Sequence, residues 1–290
     1  MFTLIVNPTS GGKRAYKNLP KVINELETRQ IEYRMMRTIY PPKPEHYKDV
    51  PCGKDDTVCV IGGDGTMLDI MNMLPGHDMT LMYVPCGTGN DFIKCVRLPK
   101  KPIEALKCQL DGTKRHIDFA YANDECFMNV FGTGFDVETL KKLDMFKIRF
   151  SGLKAYIRAV RSAVKEYAPQ TVLVSVDGGE FVEKDITIFS VGNGQFIGGG
   201  MKAVPDADPF DGKFSVVECK PVTKKSLLIL LPLFIWGKHT KSSLATSYTC
   251  ESLVIKRKDG TPLTFQIDGE IRDAEQVSLS ISHNKLLFSL

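Results

Sequence analysis

The chain has 290 residues, 43% of them hydrophobic and 25% charged, which is enough apolar material for one large domain or two ordinary ones and excludes disorder as the dominant state. A net charge of +4 with no run of five like charges excludes a basic nucleic-acid arm and suits at most small anions or an acidic membrane surface. Eight cysteines without a CxxC pair exclude zinc-ribbon spacing; in a chain this long they read as reduced thiols of a cytoplasmic protein rather than as disulfide staples.

Residues 2–6 form a first strand; without a basic flank they are not a secretory signal. Residues 14–29 carry Leu19, Val22, Ile23 and Leu26 at helical spacing, and 31–37 read as a strand. The apolar strand 57–61 leads into a helix over 66–74, with Met67, Ile70, Met71 and Leu74 on one face. A strand over 80–84 precedes helices over 90–98 and 103–110. This alternation predicts a Rossmann-like α/β domain over 1–115, a parallel sheet whose ligand sits at the carboxyl ends of the strands.

Beyond residue 115 the pattern becomes antiparallel. Three hairpins are expected: 171–176 with 181–188 around Asp177-Gly178-Gly179, 252–257 with 263–267 around Asp259-Gly260, and 277–281 with 285–288 around His283-Asn284. Helical insertions fall at 136–166 and 223–236. The reading is an all-β second domain, an antiparallel β-sandwich over 116–283, with the final strand 284–290 returning to the first domain and a cleft separating the two. The apolar run 227–236, broken by Pro232, is too short to span a bilayer. Flanked by Lys224, Lys225 and Lys238, it suits a membrane interface, but a core helix is slightly favoured. The glycines of 197–201 read equally as the lip of a cleft or as a plain β-turn.

Three segments carry chemistry. Gly62-Gly63-Asp64-Gly65-Thr66 follows a buried strand and opens a helix, where glycines allow close backbone approach and the helix N-terminus offers unpaired N–H groups to an anion. Asn7-Pro8-Thr9-Ser10-Gly11-Gly12-Lys13 follows the first strand in the same way, with Lys13 to neutralise phosphate; it is not a Walker A loop. Pro85-Cys86-Gly87-Thr88-Gly89-Asn90-Asp91 follows the fourth strand. Each alone is an ordinary strand-to-helix turn, but all three would lie on one sheet edge.

These segments, with Ile267-Asp268-Gly269-Glu270, resemble the diacylglycerol kinase catalytic-domain family, which includes sphingosine and ceramide kinases. The resemblance runs in order over nearly the whole chain. It implies ATP binding by Asn7, Pro8, Thr9, Ser10, Gly11 and Lys13, by Thr38, by Gly62, Gly63, Asp64, Gly65 and Thr66, and by Gly87, Thr88 and Asn90. It implies Asp268 as general base with Glu270 nearby. Magnesium would be held through water by Asp64, Asp91 and Asp118, and a structural magnesium by Asp208, Asp211 and Lys213. The expected activity is ATP-dependent phosphorylation of a lipid hydroxyl at a membrane surface, with diacylglycerol giving phosphatidic acid, and a homodimer is admitted. The alternatives are an NAD kinase and a catalytically silent lipid or nucleotide sensor.

Overall fold

The computed structural model describes residues 1–147 and 152–290, and the chain divides into two units. Unit 1 comprises Met1–Phe119, Pro209–Gly212 and Ser282–Leu290; unit 2 comprises Ala120–Asp208 and Lys213–Ile281.

Unit 1 runs β1 (Phe2–Val6), α1 (Ser10–Thr28), β2 (Tyr33–Arg37), β3 (Thr57–Gly62), α2 (Asp64–Met73), β4 (Thr80–Pro85), α3 (Phe92–Cys95), α4 (Pro102–Asp111) and β5 (Lys114–Ala122). The strand order β2-β1-β3-β4 is parallel throughout, with Phe2 opposite both Tyr33 and Thr57, and Thr57 opposite Thr80. β1, β3 and β4 are therefore neighbours, and the turns that follow them leave the same edge. Val58, Cys59, Val60 and Ile61 are all buried, because helices cover both faces of a parallel sheet. α1 lays Ala15, Val22 and Leu26 onto Leu4, Val6 and Ile61; each such Val, Leu or Ile contributes roughly 1.5–3 kcal/mol when fully buried.

Two helices differ from expectation. The start of α1 is not regular: Gly11, Gly12 and Lys13 have φ of 58°, 66° and 69°. The expected helix 90–98 shrinks to four residues, because Asn90 (φ 47°) and Arg97 (φ 59°) lie in the left-handed region on either side of it.

Unit 2 contains β6 (Glu125–Phe127), β7 (Val130–Gly134), α5 (Phe135–Lys147), α6 (Gly152–Glu166), β8 (Gln170–Val176), β9 (Val182–Ile186), β10 (Ile188–Gly192), β11 (Phe196–Ile197), β12 (Met201–Lys202), β13 (Phe214–Cys219), α7 (Lys224–Ile235), β14 (Ala245–Cys250), β15 (Ser252–Arg257), β16 (Leu263–Ile267), β17 (Glu270–Ala274) and the first part of β18 (Gln276–Ser289), whose remainder belongs to unit 1. Residues 148–151 of the expected insertion 136–166 lie outside the described residues. One antiparallel sheet has the order β14-β13-β10-β7-β16-β17. In the other layer β15 pairs with β8 and with the first part of β18, and β8 pairs with β9.

The first expected hairpin exists: Asp177 and Gly178, at φ 49° and 74°, make the tight turn joining β8 to β9. The other two do not. β15 and β16 belong to different sheets, so the Asp259-Gly260 turn carries the chain across the sandwich. The Asp259 carboxylate accepts bonds from Thr261 N at 3.0 Å and Thr261 Oγ1 at 2.7 Å, a local turn that leaves the flanking strands to pair elsewhere. His283-Asn284 is no turn either, since it lies within one continuous strand that changes partner. Gln276–Ser280 pair antiparallel with β15, whereas Leu287 and Phe288 pair parallel with β4 inside unit 1. The hairpin that does form is β16–β17, around Asp268 (φ 49°) and Gly269 (φ 95°).

Candidate functional site

In unit 1 the three glycine-bearing turns meet. Asn7, 9% exposed at the end of β1, donates from Nδ2 to Thr66 Oγ1 at 2.9 Å and to Tyr40 Oη at 3.2 Å. Its Oδ1 accepts from Thr9 Oγ1 at 2.8 Å. A Cβ on Gly11 would collide with the Cys86 carbonyl, which ties the first turn to the third. Gly63 and Gly87 face each other so closely that a Cβ on Gly63 would stand 2.9 Å from Gly87 Cα. Asn90 fastens the third turn, accepting from Gly87 N at 2.9 Å and donating to Gly87 O at 3.0 Å. Thr9, Lys13, Gly65 and Thr88 remain exposed, and Pro8, Ser10 and Gly62 belong to the same turns. Thr38 follows β2, and its Oγ1 is buried with no hydrogen-bond partner among the described residues.

Sequence reading overlooked Tyr40 and Arg14. Tyr40 bridges Asn7 to Asp69 Oδ2 (3.1 Å), and burial first, then Asp69, pushes its hydroxyl up to about 12. Arg14 Nη1 donates to Gly87 O at 2.9 Å. Neither has a sequence signal, because one sits in an irregular loop and the other one residue past its motif.

The expected magnesium-binding acids have other partners in this structure. Asp64 accepts from Asp91 N at 2.8 Å and Phe92 N at 3.3 Å, so its carboxylate caps the short α3; burial raises its pKa. Asp91, 5% exposed, pairs with Lys94 at 2.6 Å. Asp118, 2% exposed, accepts from Gly212 N at 2.7 Å, and its own amide donates to Pro209 O at 2.7 Å, which anchors the segment carrying Asp211. Asp208 and Lys213 flank that segment in unit 2. Among the described residues no three His, Cys, Asp or Glu side chains converge on a metal position. The donors on offer are carboxylate and carbonyl oxygens, the kind a hard cation such as magnesium takes.

In unit 2, Asp268 sits at the tip of the β16–β17 hairpin. Its carboxylate accepts from Met128 N at 2.8 Å and from Asn129 N and Val130 N at 2.9 Å each. Three amides thus hold one carboxylate in one orientation. Glu270, at the first position of β17, is exposed and lies 4.0 Å from Arg272, which itself forks onto Glu125 at 2.7 and 3.0 Å.

Unit 2 also holds two adjoining apolar cavities that share Asp136, Thr139 and Phe234 as walls. α7 supplies Leu227, Leu230 and Phe234 to the lining, and the β11–β12 hairpin supplies Ile197, Gly198 and Met201. The glycines of 197–201 are thus both a tight hairpin and a cavity wall. The opposite face of α7 exposes Leu228 and Pro232, and Trp236 just beyond its end, at i, i+4 and i+8, beside exposed Lys224, Lys225 and Lys238. The inner face of this run thus packs as core, as the sequence slightly favoured, while its outer face is exposed. No helix among the described residues is long and apolar enough to cross a membrane.

Asp136 was not singled out in the sequence. Burial pushes its carboxyl up to about 6, against the opposing pull of the Val137 amide and Gln266. A raised folded pKa means that this group's contribution is fully present below pH 4 and is lost as pH rises through about 6. Asp136→Asn should therefore match the wild type in melting temperature at pH 4 and exceed it at pH 8, by the equivalent of about 1–3 kcal/mol. Thermal melts across that range check the sign.

The family model for the diacylglycerol kinase catalytic domain matches residues 1–122, and that for the YegS C-terminal NAD kinase beta sandwich-like domain matches residues 129–286. A Bacillus subtilis relative carrying the name "Putative lipid kinase YtlR" is 32% identical over 97% of both chains. A Mycobacterium tuberculosis protein named diacylglycerol kinase is 28% identical over 82% of this chain and 79% of its own. Among solved structures, a diacylglycerol kinase-type protein from Bacillus anthracis superposes with a TM-score of 0.80 at 24% identity, covering 99% of this chain and 96% of that one. An Archaeoglobus fulgidus NAD kinase in complex with ATP shares the fold at a TM-score of 0.56 and 14% identity, over 100% of this chain and 94% of that one. An α/β domain with three linked glycine turns, followed by an NAD kinase-like β-sandwich, places this chain in the diacylglycerol kinase catalytic-domain family.

Proposed function

We propose that the chain is an ATP-dependent lipid kinase that transfers the γ-phosphate to a lipid hydroxyl, with diacylglycerol the acceptor and phosphatidic acid the product. The observation that carries this reading is the apolar lining of the unit 2 cavities, made by residues such as Leu227, Leu230 and Phe234, which suits acyl chains. The names carried by its relatives agree with it.

The turns of unit 1 would hold the nucleotide: Asn7–Gly11 and Lys13, Gly62–Thr66, Gly87, Thr88 and Asn90, with the orphan Thr38 hydroxyl as a further contact. Phosphoryl transfer demands positioning and charge neutralisation more than covalent help. Asp268, held by its three amides, would orient the lipid hydroxyl and take its proton as the new P–O bond forms and ADP leaves, with Glu270 beside it. Magnesium, when bound, would neutralise charge on the phosphates; Asp64, Asp91 and Asp118 would hold it through water, and Asp208, Asp211 and Lys213 would hold a structural ion. The outer face of α7 would rest on an anionic membrane surface from the cytoplasmic side. Replacing both Leu228 and Trp236 with Asp should cut binding to phosphatidylglycerol vesicles about tenfold or more in a sedimentation assay, while ATP affinity stays unchanged.

The fold shared with an NAD kinase supports a second reading, phosphorylation of NAD. Parallel incubations of radiolabelled ATP with NAD and with diacylglycerol vesicles separate the two. Label in the lipid fraction is expected; label in NAD alone would refute the lipid-kinase reading.

A further inference from the structure

The cavity of unit 2 contains one polar feature the reaction has not used. Gln266 is fully buried on β16, and its Oε1 accepts from Gly269 N at 2.8 Å. That bond identifies the other end of the amide, Nε2, as the end turned toward the cavity. Nε2 has no hydrogen-bond partner among the described residues. Asp136 stands opposite, and the amide's pull as a hydrogen-bonding group on its carboxyl is felt, although the separation and angle fall short of a formed bond. Both line the cavity together with Val130, Leu140, Ile197 and Met201. Gly132 on β7 makes the room: a Cβ there would collide with Asp136 Oδ2 and stand 2.7 Å from Gln266 Nε2.

A buried N–H left unpaired bears the full desolvation cost of the donor. An apolar wall with one such donor is complementary to a ligand that is apolar apart from one acceptor. Gln266 also carries a position with it, because the amide whose Nε2 faces the cavity has its Oε1 on the amide of Gly269, the residue after Asp268. An acceptor bound at Nε2 is thereby set at a fixed spacing from the Asp268 turn. A lipid amine would bring a further donor to a donor and lacks this match.

We propose that Gln266, backed by Asp136, is a specificity-determining residue that binds the acyl carbonyl next to the hydroxyl being phosphorylated, so that the enzyme selects lipid alcohols bearing an acyl group. This rests on the lipid-kinase reading and adds to it the chemistry of the acceptor.

The test compares 1,2-dioleoylglycerol with 1,2-di-O-oleylglycerol, the ether analogue lacking both carbonyls, in mixed micelles with ATP and magnesium. Wild-type enzyme should prefer the ester by about tenfold or more in kcat/KM, chiefly through KM. In Gln266→Met, which removes the donor at similar length, that preference should fall to about one. Gln266→Glu, which keeps an acceptor for Gly269, should lose it too and serves if the Met variant does not fold. Equal use of the two lipids by the wild type would overturn the proposal while leaving the kinase reading standing. So would a variant that loses both activities by the same factor, the mark of a merely structural residue. Transfer to neither lipid would remove the kinase reading and this inference with it.

Discussion

Asp268→Asn is expected to lower lipid phosphorylation by about 10²–10⁴-fold while ATP still binds. Asn tolerates the left-handed backbone required at φ 49°, so the hairpin tip should survive. Its carbonyl can still accept from Asn129 and Val130. Its NH₂ group, however, would face the Met128 amide, a donor against a donor, in place of the 2.8 Å bond made by the carboxylate. A stability loss of about 1–3 kcal/mol should accompany the catalytic loss. The two are separable: ATP titration by calorimetry reports an intact nucleotide site, thermal melting reports the lost bond, and single-turnover transfer reports the missing base. Turnover near the wild-type level in a folded Asp268→Asn protein would remove Asp268 from the mechanism.

The second large effect concerns the meeting of the turns in unit 1. Gly87→Ala should destabilise the protein by about 1–3 kcal/mol and weaken ATP binding, because its methyl group would run into Gly63 Cα and stand 2.7 Å from Asn90 Oδ1. Backbone cannot swing aside as a flexible side chain does. Gly65→Ala is the control. It lies in the same functional sequence but meets nothing within 4 Å and sits inside α2, where Ala is the better helix former by about 1 kcal/mol. Its stability should hold or rise. If Gly65 adjoins the nucleotide, ATP affinity alone should drop. Equal stability losses at both positions would show that the glycines are not distinguished by close approach.

These outcomes depend on features that were unequally visible in the sequence. The parallel sheet could be read from β1, β3 and β4, because strands buried on both faces write an unbroken apolar run. Their turns could be read as well, since only glycines permit contacts such as Gly63 against Gly87. Strand pairing in unit 2 was much less accessible. Asp259-Gly260 and Asp177-Gly178 look alike as dipeptides, yet one crosses the sandwich and the other closes a hairpin. Turn chemistry is local, whereas the partner of a strand is chosen by burial along its whole length. β18 shows the same limit: His283-Asn284 has turn composition, but the chain stays extended there because the strand has a second partner in β4. Asp136 and Gln266 were invisible for a related reason. They lie 130 positions apart, and only the packing of α5 against the sheet brings the amide opposite the carboxyl. Thr38 was named through family resemblance alone, and the structure gives it a buried hydroxyl without a hydrogen-bond partner among the described residues.

The most direct test is mass spectrometry of a membrane lipid extract after incubation with the enzyme, ATP and magnesium. The account predicts loss of diacylglycerol matched mole for mole by gain of phosphatidic acid and of ADP. ADP formed with no phosphorylated lipid, or an unchanged lipid profile with ATP intact, would contradict it.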